Sequence, residues 1–223
     1  MFKNYRTSLF SVIACTPIFA GTFGDFACYN PTILQIGAFE GDLTNKFSTL
    51  FPYGTIYAFE PDLESYKILL SKTQNQKNVN AYNLAVNTSS GSCLLYGTKN
   101  EASLFKSNKG LSKEVECINL DDWCSAKQIE HIDHIYLDVN GFEYEILKTS
   151  PQTLKKTFFI TLKTFSSTKC SHIAPFSKIR VMLKSHGFDM VNHVVEMIKD
   201  DGLKIKVGEA FFMKDFIFTA FYK

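Results

Sequence analysis

Thr32-Ile33-Leu34-Gln35-Ile36-Gly37-Ala38-Phe39-Glu40-Gly41 is the stretch on which the reading of the fold turns. Its first five residues are largely aliphatic or β-branched and are bounded by Pro31 and Gly37, the pattern of a short buried strand. Two glycines follow at G-x-x-x-G spacing. A helical stretch then runs from Gly41 to about Phe51, with Leu43, Phe47 and Leu50 on one face. Strand, glycine turn and helix together form the first half of a βαβ unit.

The same alternation continues outward. Pro52-Tyr53-Gly54 turns the chain into a second strand, Thr55-Ile56-Tyr57-Ala58-Phe59. Glu60-Pro61-Asp62 ends that strand and starts a helix whose apolar residues are Leu63, Tyr66, Leu69 and Leu70. Residues 79–84 read as a third strand, and residues 91–96 and 113–118 as hairpin or edge material. Ile135-Tyr136-Leu137-Asp138-Val139 is a fourth strand, followed by a short helix over 143–148. Residues 157–162 form a fifth, with a helix over 175–186 behind it. Gly187-Phe188 opens a sixth, and residues 210–222 supply the last. Strands alternating with helices predict an α/β fold, Rossmann-like and doubly wound around a mainly parallel sheet. Ligands of such sheets sit beyond the carboxyl ends of the strands, near the switch in strand order. That rule selects residues 37–41, Glu60, 83–85 and 138–143.

The chain has 223 residues, 45% hydrophobic and 21% charged, which suits one globular domain with an appendage. A net charge of +2 leaves no basic excess for a nucleic-acid partner. No pair of the six cysteines has CxxC spacing, and His131 and His134 lack a third ligand, so no metal site is predicted. Residues 1–30 stand apart. Lys3 and Arg6 precede an uncharged run over 7–24, the layout of a secretory signal with Ala20 as a possible cleavage residue. The run is short for a membrane span and is interrupted by Thr16-Pro17. Export through a signal peptide is therefore one expectation. The other is a retained, membrane-apposed arm with the domain, residues 31–223, on the cytoplasmic side.

The glycine loop departs from the G-x-G-x-x-G that cradles a pyrophosphate, and Glu40 would repel a diphosphate. A cationic or zwitterionic ligand suits it better. Glu60 ends the second strand, at the place where a carboxylate accepts both hydroxyls of a ribose. A nicotinamide cofactor is disfavoured by the missing third glycine.

Three segments in register, residues 35–41, Tyr57-Ala58-Phe59-Glu60-Pro61 and residues 132–143, resemble the FkbM-type methyltransferase family, and the similarity runs over about residues 31–190. Asn119-Leu120-Asp121-Asp122 also resembles the family's segment before the fourth strand. The resemblance implies a seven-strand sheet of the class I methyltransferase type, S-adenosylmethionine as cofactor, and a hydroxyl of a small molecule or glycan as acceptor. It implies that Gly37, Glu40 and Gly41 line the methionine part, that Glu60 holds the ribose, and that Asn83 and Ala85 flank the adenine. Asp138 would lie nearest the transferred methyl, where Asp138 and Glu143 are the candidate bases for a hydroxyl proton. Two positions depart from the family's pattern: Asn140 and Lys163 stand where it usually has acids. If those acids serve the acceptor, this chain has an altered acceptor or is a cofactor-binding module without turnover.

Overall fold

The computed structural model describes residues 30–98, 102–105, 112–166, 173–200 and 203–215. The signal-like segment therefore lies outside the described residues, as do Cys15, Cys28 and Cys170. Ten strands and six helices follow in the order β1 (Thr32–Ile36), α1 (Asp42–Leu50), β2 (Thr55–Phe59), α2 (Leu63–Thr73), β3 (Val79–Tyr82), β4 (Ala85–Asn87), β5 (Gly91–Tyr96), β6 (Ser112–Asn119), α3 (Leu120–Ala126), β7 (Ile132–Leu137), α4 (Glu143–Lys148), α5 (Pro151–Lys155), β8 (Thr157–Ser166), α6 (Phe176–Ser185), β9 (Phe188–Asp200) and β10 (Leu203–Lys214).

Seven strands form the main sheet in the order β3-β2-β1-β7-β8-β10-β9. The pairs from β3 to β8 are parallel, and β10 runs antiparallel to both of its neighbours. The chain lays down β1, β2 and β3 in one direction and returns to the other side of β1 with β7, so the switch point lies between β1 and β7. One face buries Leu34, Ile36, Phe59, Trp123, Ile135, Leu137, Ile160 and Leu162. On the opposite face Phe47 of α1 packs on Ile33, Ile56 and Tyr136.

Several boundaries differ from the sequence reading. β3 ends at Tyr82 because the chain leaves for a separate three-stranded sheet, β4-β6-β5, in which the expected hairpin strands pair. β7 begins three residues early despite its polar start: the Asp133 carboxylate accepts the Thr32 N–H at 2.7 Å and ties the entry of β1 to β7. It also ends at Leu137, which leaves Asp138 and Val139 just past the strand. α3 was not anticipated, although Asn119 accepts the N–H groups of Asp121 and Asp122 as its N-cap. On α2 the expected apolar face is partly wrong. Leu63 and Leu70 are exposed, and the buried row is Ser65, Leu69 and Thr73 at i,i+4 spacing. Residues 216–222 of the expected last strand lie outside the described residues.

Gly37 sits at φ +84°, and a Cβ there would fall 2.0 Å from the carbonyl oxygen of Asp138. That approach brings the ends of β1 and β7 together. Gly37→Ala should therefore lose about 3 kcal/mol or more in urea melts, since both strain and a backbone clash are introduced. Gly91, at φ +135° with open space around its missing Cβ, is the control; Gly91→Ala should cost only about 1–2 kcal/mol. Equal losses at the two positions would mean that the close approach is not needed.

Candidate functional site

The loop after β1 is held by the end of β2. Gly37 and Ala38 both donate to the carbonyl of Phe59, at 3.0 and 2.9 Å. Phe39 takes a left-handed φ of +50° and donates its N–H to Oε2 of Glu60 at 2.7 Å. Oε1 of Glu60 accepts the N–H of Asp62 at 2.8 Å. One carboxylate thus joins the glycine loop, the end of β2 and the start of α2, and each oxygen keeps a second lone pair. Glu60 is only 5% exposed. Burial raises its pKa to about 7, against the lowering pull of the two backbone N–H groups. The helix start next to it belongs to Asp62, which accepts from the N–H and hydroxyl of Ser65 and from Lys113.

The other expected ligand residues divide. Asn83 turns its amide inward and donates to the carbonyls of Glu60 and Pro61 at 2.8 and 3.1 Å. It sets the path of the chain at the site, and Ala85 is buried at the start of β4. Gly41 caps α1 at φ +84°, and Leu69 of α2 fills the space that a Cβ would need. Glu40 faces α2, 3.7 Å from Lys72, which also pairs with Asp42 at 2.7 Å. The structure brings Gly37, Glu60 and Asp138 to one edge and turns Glu40 aside toward a surface ion pair.

Past β7, Asp138 donates its N–H to the carbonyl of Ile36 at 2.9 Å, which joins it to β1. Its carboxylate is 33% exposed and lies 3.4 Å from the ammonium of Lys163, whose side chain is 14% exposed. Glu143 is 2% exposed. Its Oε1 accepts the N–H groups of Val139 and Gly141 at 3.1 and 3.3 Å, so it shapes the turn. Burial pushes its pKa up to about 7, and the charge of Asp138 adds to that. Asn140 takes φ +52°, a conformation that asparagine tolerates better than most residues. It donates to the carbonyl of Ala102 at 2.8 Å and accepts from the Ser103 hydroxyl at 3.2 Å. Phe105 and Phe142 meet edge to face beside it, with centroids 5.0 Å apart.

His134, half-buried, meets the Thr161 hydroxyl at 2.8 Å, and desolvation holds its pKa down to about 4. His131 faces Asp133 at 3.4 Å. Among the described residues no group of three or more His, Cys, Asp and Glu is placed to hold a metal. Sequence reasoning missed Lys113, which lies far along the chain and reaches Asp62 only through the β6 fold.

Residues 35–190 match the family model described as the methyltransferase FkbM domain. Over 150 residues the chain is 27% identical to the 2-O-methyltransferase NoeI of Sinorhizobium fredii, a match covering 59% of this chain and 62% of that protein. The chain thus spans less than two thirds of the length of this curated relative. Among solved structures, the Methanococcus jannaschii fibrillarin pre-rRNA processing protein superposes with a TM-score of 0.50 at 16% identity, covering 83% of this chain and 67% of that one, which is a likeness of fold. The matched span begins one residue before the end of β1 and takes in the glycine loop, Glu60 and the turn after β7; the chain belongs to the methyltransferase FkbM domain family.

Proposed function

We propose that this domain binds S-adenosylmethionine and transfers its methyl group to a hydroxyl of a small molecule or glycan. The observation that carries this reading is the buried carboxylate of Glu60, fixed at the switch point by two backbone N–H groups with lone pairs to spare. A ribose presents two neighbouring hydroxyl donors, which is what such a carboxylate needs. The residues fit the rest of the cofactor as well. Gly37 lets β1 and β7 end side by side, the 83–85 segment would flank the adenine through its backbone path, and Asp138 offers negative charge toward a sulfonium and an ammonium. Carboxylates at Glu60 and Asp138 would oppose a diphosphate in the same place.

The cofactor supplies an activated methyl group. What the chain must add is position and a destination for the hydroxyl proton. Asp138 is exposed enough to meet an acceptor, whereas Glu143 is turned into its own loop. A relative named as a 2-O-methyltransferase favours oxygen as the atom methylated. Since S-adenosylmethionine is made inside the cell, the same reading puts the domain on the cytoplasmic side, with residues 1–23 retained. A mature N-terminus near Gly21, found by mass spectrometry on protein recovered outside the inner membrane, would refute that placement.

Calorimetric titration with S-adenosylmethionine tests the cofactor. Glu60→Ala should weaken binding roughly 30- to 1,000-fold, the equivalent of about 2–4 kcal/mol. Glu60→Gln should also lose affinity, since its NH₂ must face one of two backbone donors. Two ribose hydroxyls donate most strongly to the ionised carboxylate, both of whose oxygens accept, and Glu60 titrates near 7 in the folded chain. Wild-type affinity should therefore rise about fivefold from pH 6 to pH 7 and about twofold more by pH 8, a dependence absent in Glu60→Gln. Unchanged affinity in both variants would remove Glu60 from the cofactor site.

Asp138→Asn should keep cofactor affinity within a few-fold and slow transfer of a labelled methyl group by on the order of 10²–10⁴-fold. A rate within a few-fold of wild type would rule it out as the base.

A further inference from the structure

Five residues form a single row across the carboxyl edge of the sheet. Ile36 pairs with Phe59, so Gly37 lies beside Glu60. Leu137 pairs with both Ile36 and Leu162, so Asp138 lies between Gly37 and Lys163. Lys163 pairs directly with Glu209 on β10. Residues opposite one another in a ladder point to the same face. Asp138, Lys163 and Glu209 therefore stand side by side, one level above Tyr136, Thr161 and Phe211. Two contacts agree. Lys163 reaches Asp138 at 3.4 Å, and the Tyr136 phenol is held well above its ordinary pKa by burial and by the charges of Asp138 and Glu209. The Tyr136 hydroxyl is buried beneath this row with no hydrogen-bond partner among the described residues.

We propose that Lys163 and Glu209 form the acceptor subsite and hold a pair of adjacent hydroxyls, as on a sugar ring. The inference rests on the methyltransferase reading and extends it along the row. With the ribose at Glu60, the sulfur is one methylene from the ribose, and strands lie about 4.8 Å apart. The sulfonium then falls over β1 and β7, and the next places in line, β8 and β10, fall to the acceptor. A carboxylate only accepts hydrogen bonds and an ammonium only donates them, while a hydroxyl does both. Of two neighbouring hydroxyls, one donates to Glu209 and the other accepts from Lys163, with Asp138 next to the methyl. A flat phenol offers one hydroxyl and would need an apolar slot here. The lysine in place of an acid thus changes what the site recognises.

The test uses the full chain saturated with S-adenosylhomocysteine, titrated with methyl α-D-glucopyranoside as the vicinal-diol probe and with phenol as the one-hydroxyl comparator, both followed by saturation-transfer NMR. Wild type should bind the glycoside saturably and in preference to phenol. Glu209→Gln and Lys163→Met should each weaken the glycoside about tenfold or more, with S-adenosylhomocysteine affinity unchanged within about threefold. Lys163→Arg keeps the cation and should retain most of the binding, so it and Glu209→Gln decide the matter if Lys163→Met does not fold. Undetectable glycoside binding, glycoside binding insensitive to these variants, or preference for phenol overturns the proposal. If S-adenosylhomocysteine itself fails to bind wild type, the methyltransferase reading falls and the subsite with it; if it binds and the glycoside results are negative, only the subsite falls.

Discussion

The hydrogen bond from the Phe39 N–H to the Glu60 carboxylate is the constraint on which the site depends. It holds the glycine loop in a conformation that puts Phe39 at positive φ, unfavourable for a bulky residue and kept only because its surroundings determine it. The second oxygen of the same carboxylate fixes the step into α2, and Asn83, just past β3, fixes the carbonyls of Glu60 and Pro61. Three strands thereby deliver their ends to one place. The loop geometry and the proposed cofactor carboxylate are one object, so a change at Glu60 also changes the shape of the loop.

The central strands and their order of appearance were legible because a buried parallel strand is an apolar run bounded by breakers, and β1 and β2 carry little else. The polar opening of β7 hid its start, since Asp133 accepts from the Thr32 N–H and His134 meets the Thr161 hydroxyl, both far away in sequence. The face of α2 was misread for a related reason. Periodicity favours its leucines, but the close contact of Gly41 with Leu69 rotates small Ser65 and Thr73 inward. Within the site, Gly37 and Glu60 could be read from local spacing. Glu40 was placed by its charge and by the family resemblance, and the ion pair it makes with Lys72 could not be read locally because Lys72 lies in another element. Glu209 was invisible, because its nearness to Lys163 comes from an antiparallel pairing that no local motif announces.

Asn140 and Lys163 are the positions where the chain leaves its family's pattern, and each has a structural role. Asn140 adopts a left-handed backbone that asparagine accepts, and uses both amide and carbonyl to hold residues 102–103 beside the turn. Lys163 is a cation in partly dehydrated surroundings and is matched by Asp138. Losing one partner of such a pair costs more than never having had it, because the other charge is left desolvated. The substitutions have therefore been absorbed into an ordered edge rather than leaving it damaged.

The electrostatics of that edge set a relation between stability and ligand. Glu60 and Glu143 titrate near 7 in the folded chain, against ordinary values of 4.5. Between those pH values the folded chain holds protons that the unfolded chain has released, so stability present below about 4.5 is lost as pH rises through 7. At neutral pH the cost of ionising them in place is on the order of 3 kcal/mol for each. In the proposed cofactor site only Glu60 would meet hydroxyl donors that stabilise its charged form, while Glu143 is enclosed by its own turn. On the proposed reading, part of the binding energy of a diol would be spent on ionising a buried acid whose position the fold already fixes. Burial thus disfavours the ionised carboxylate and costs stability at neutral pH, and a pair of hydroxyl donors is what would offset that cost.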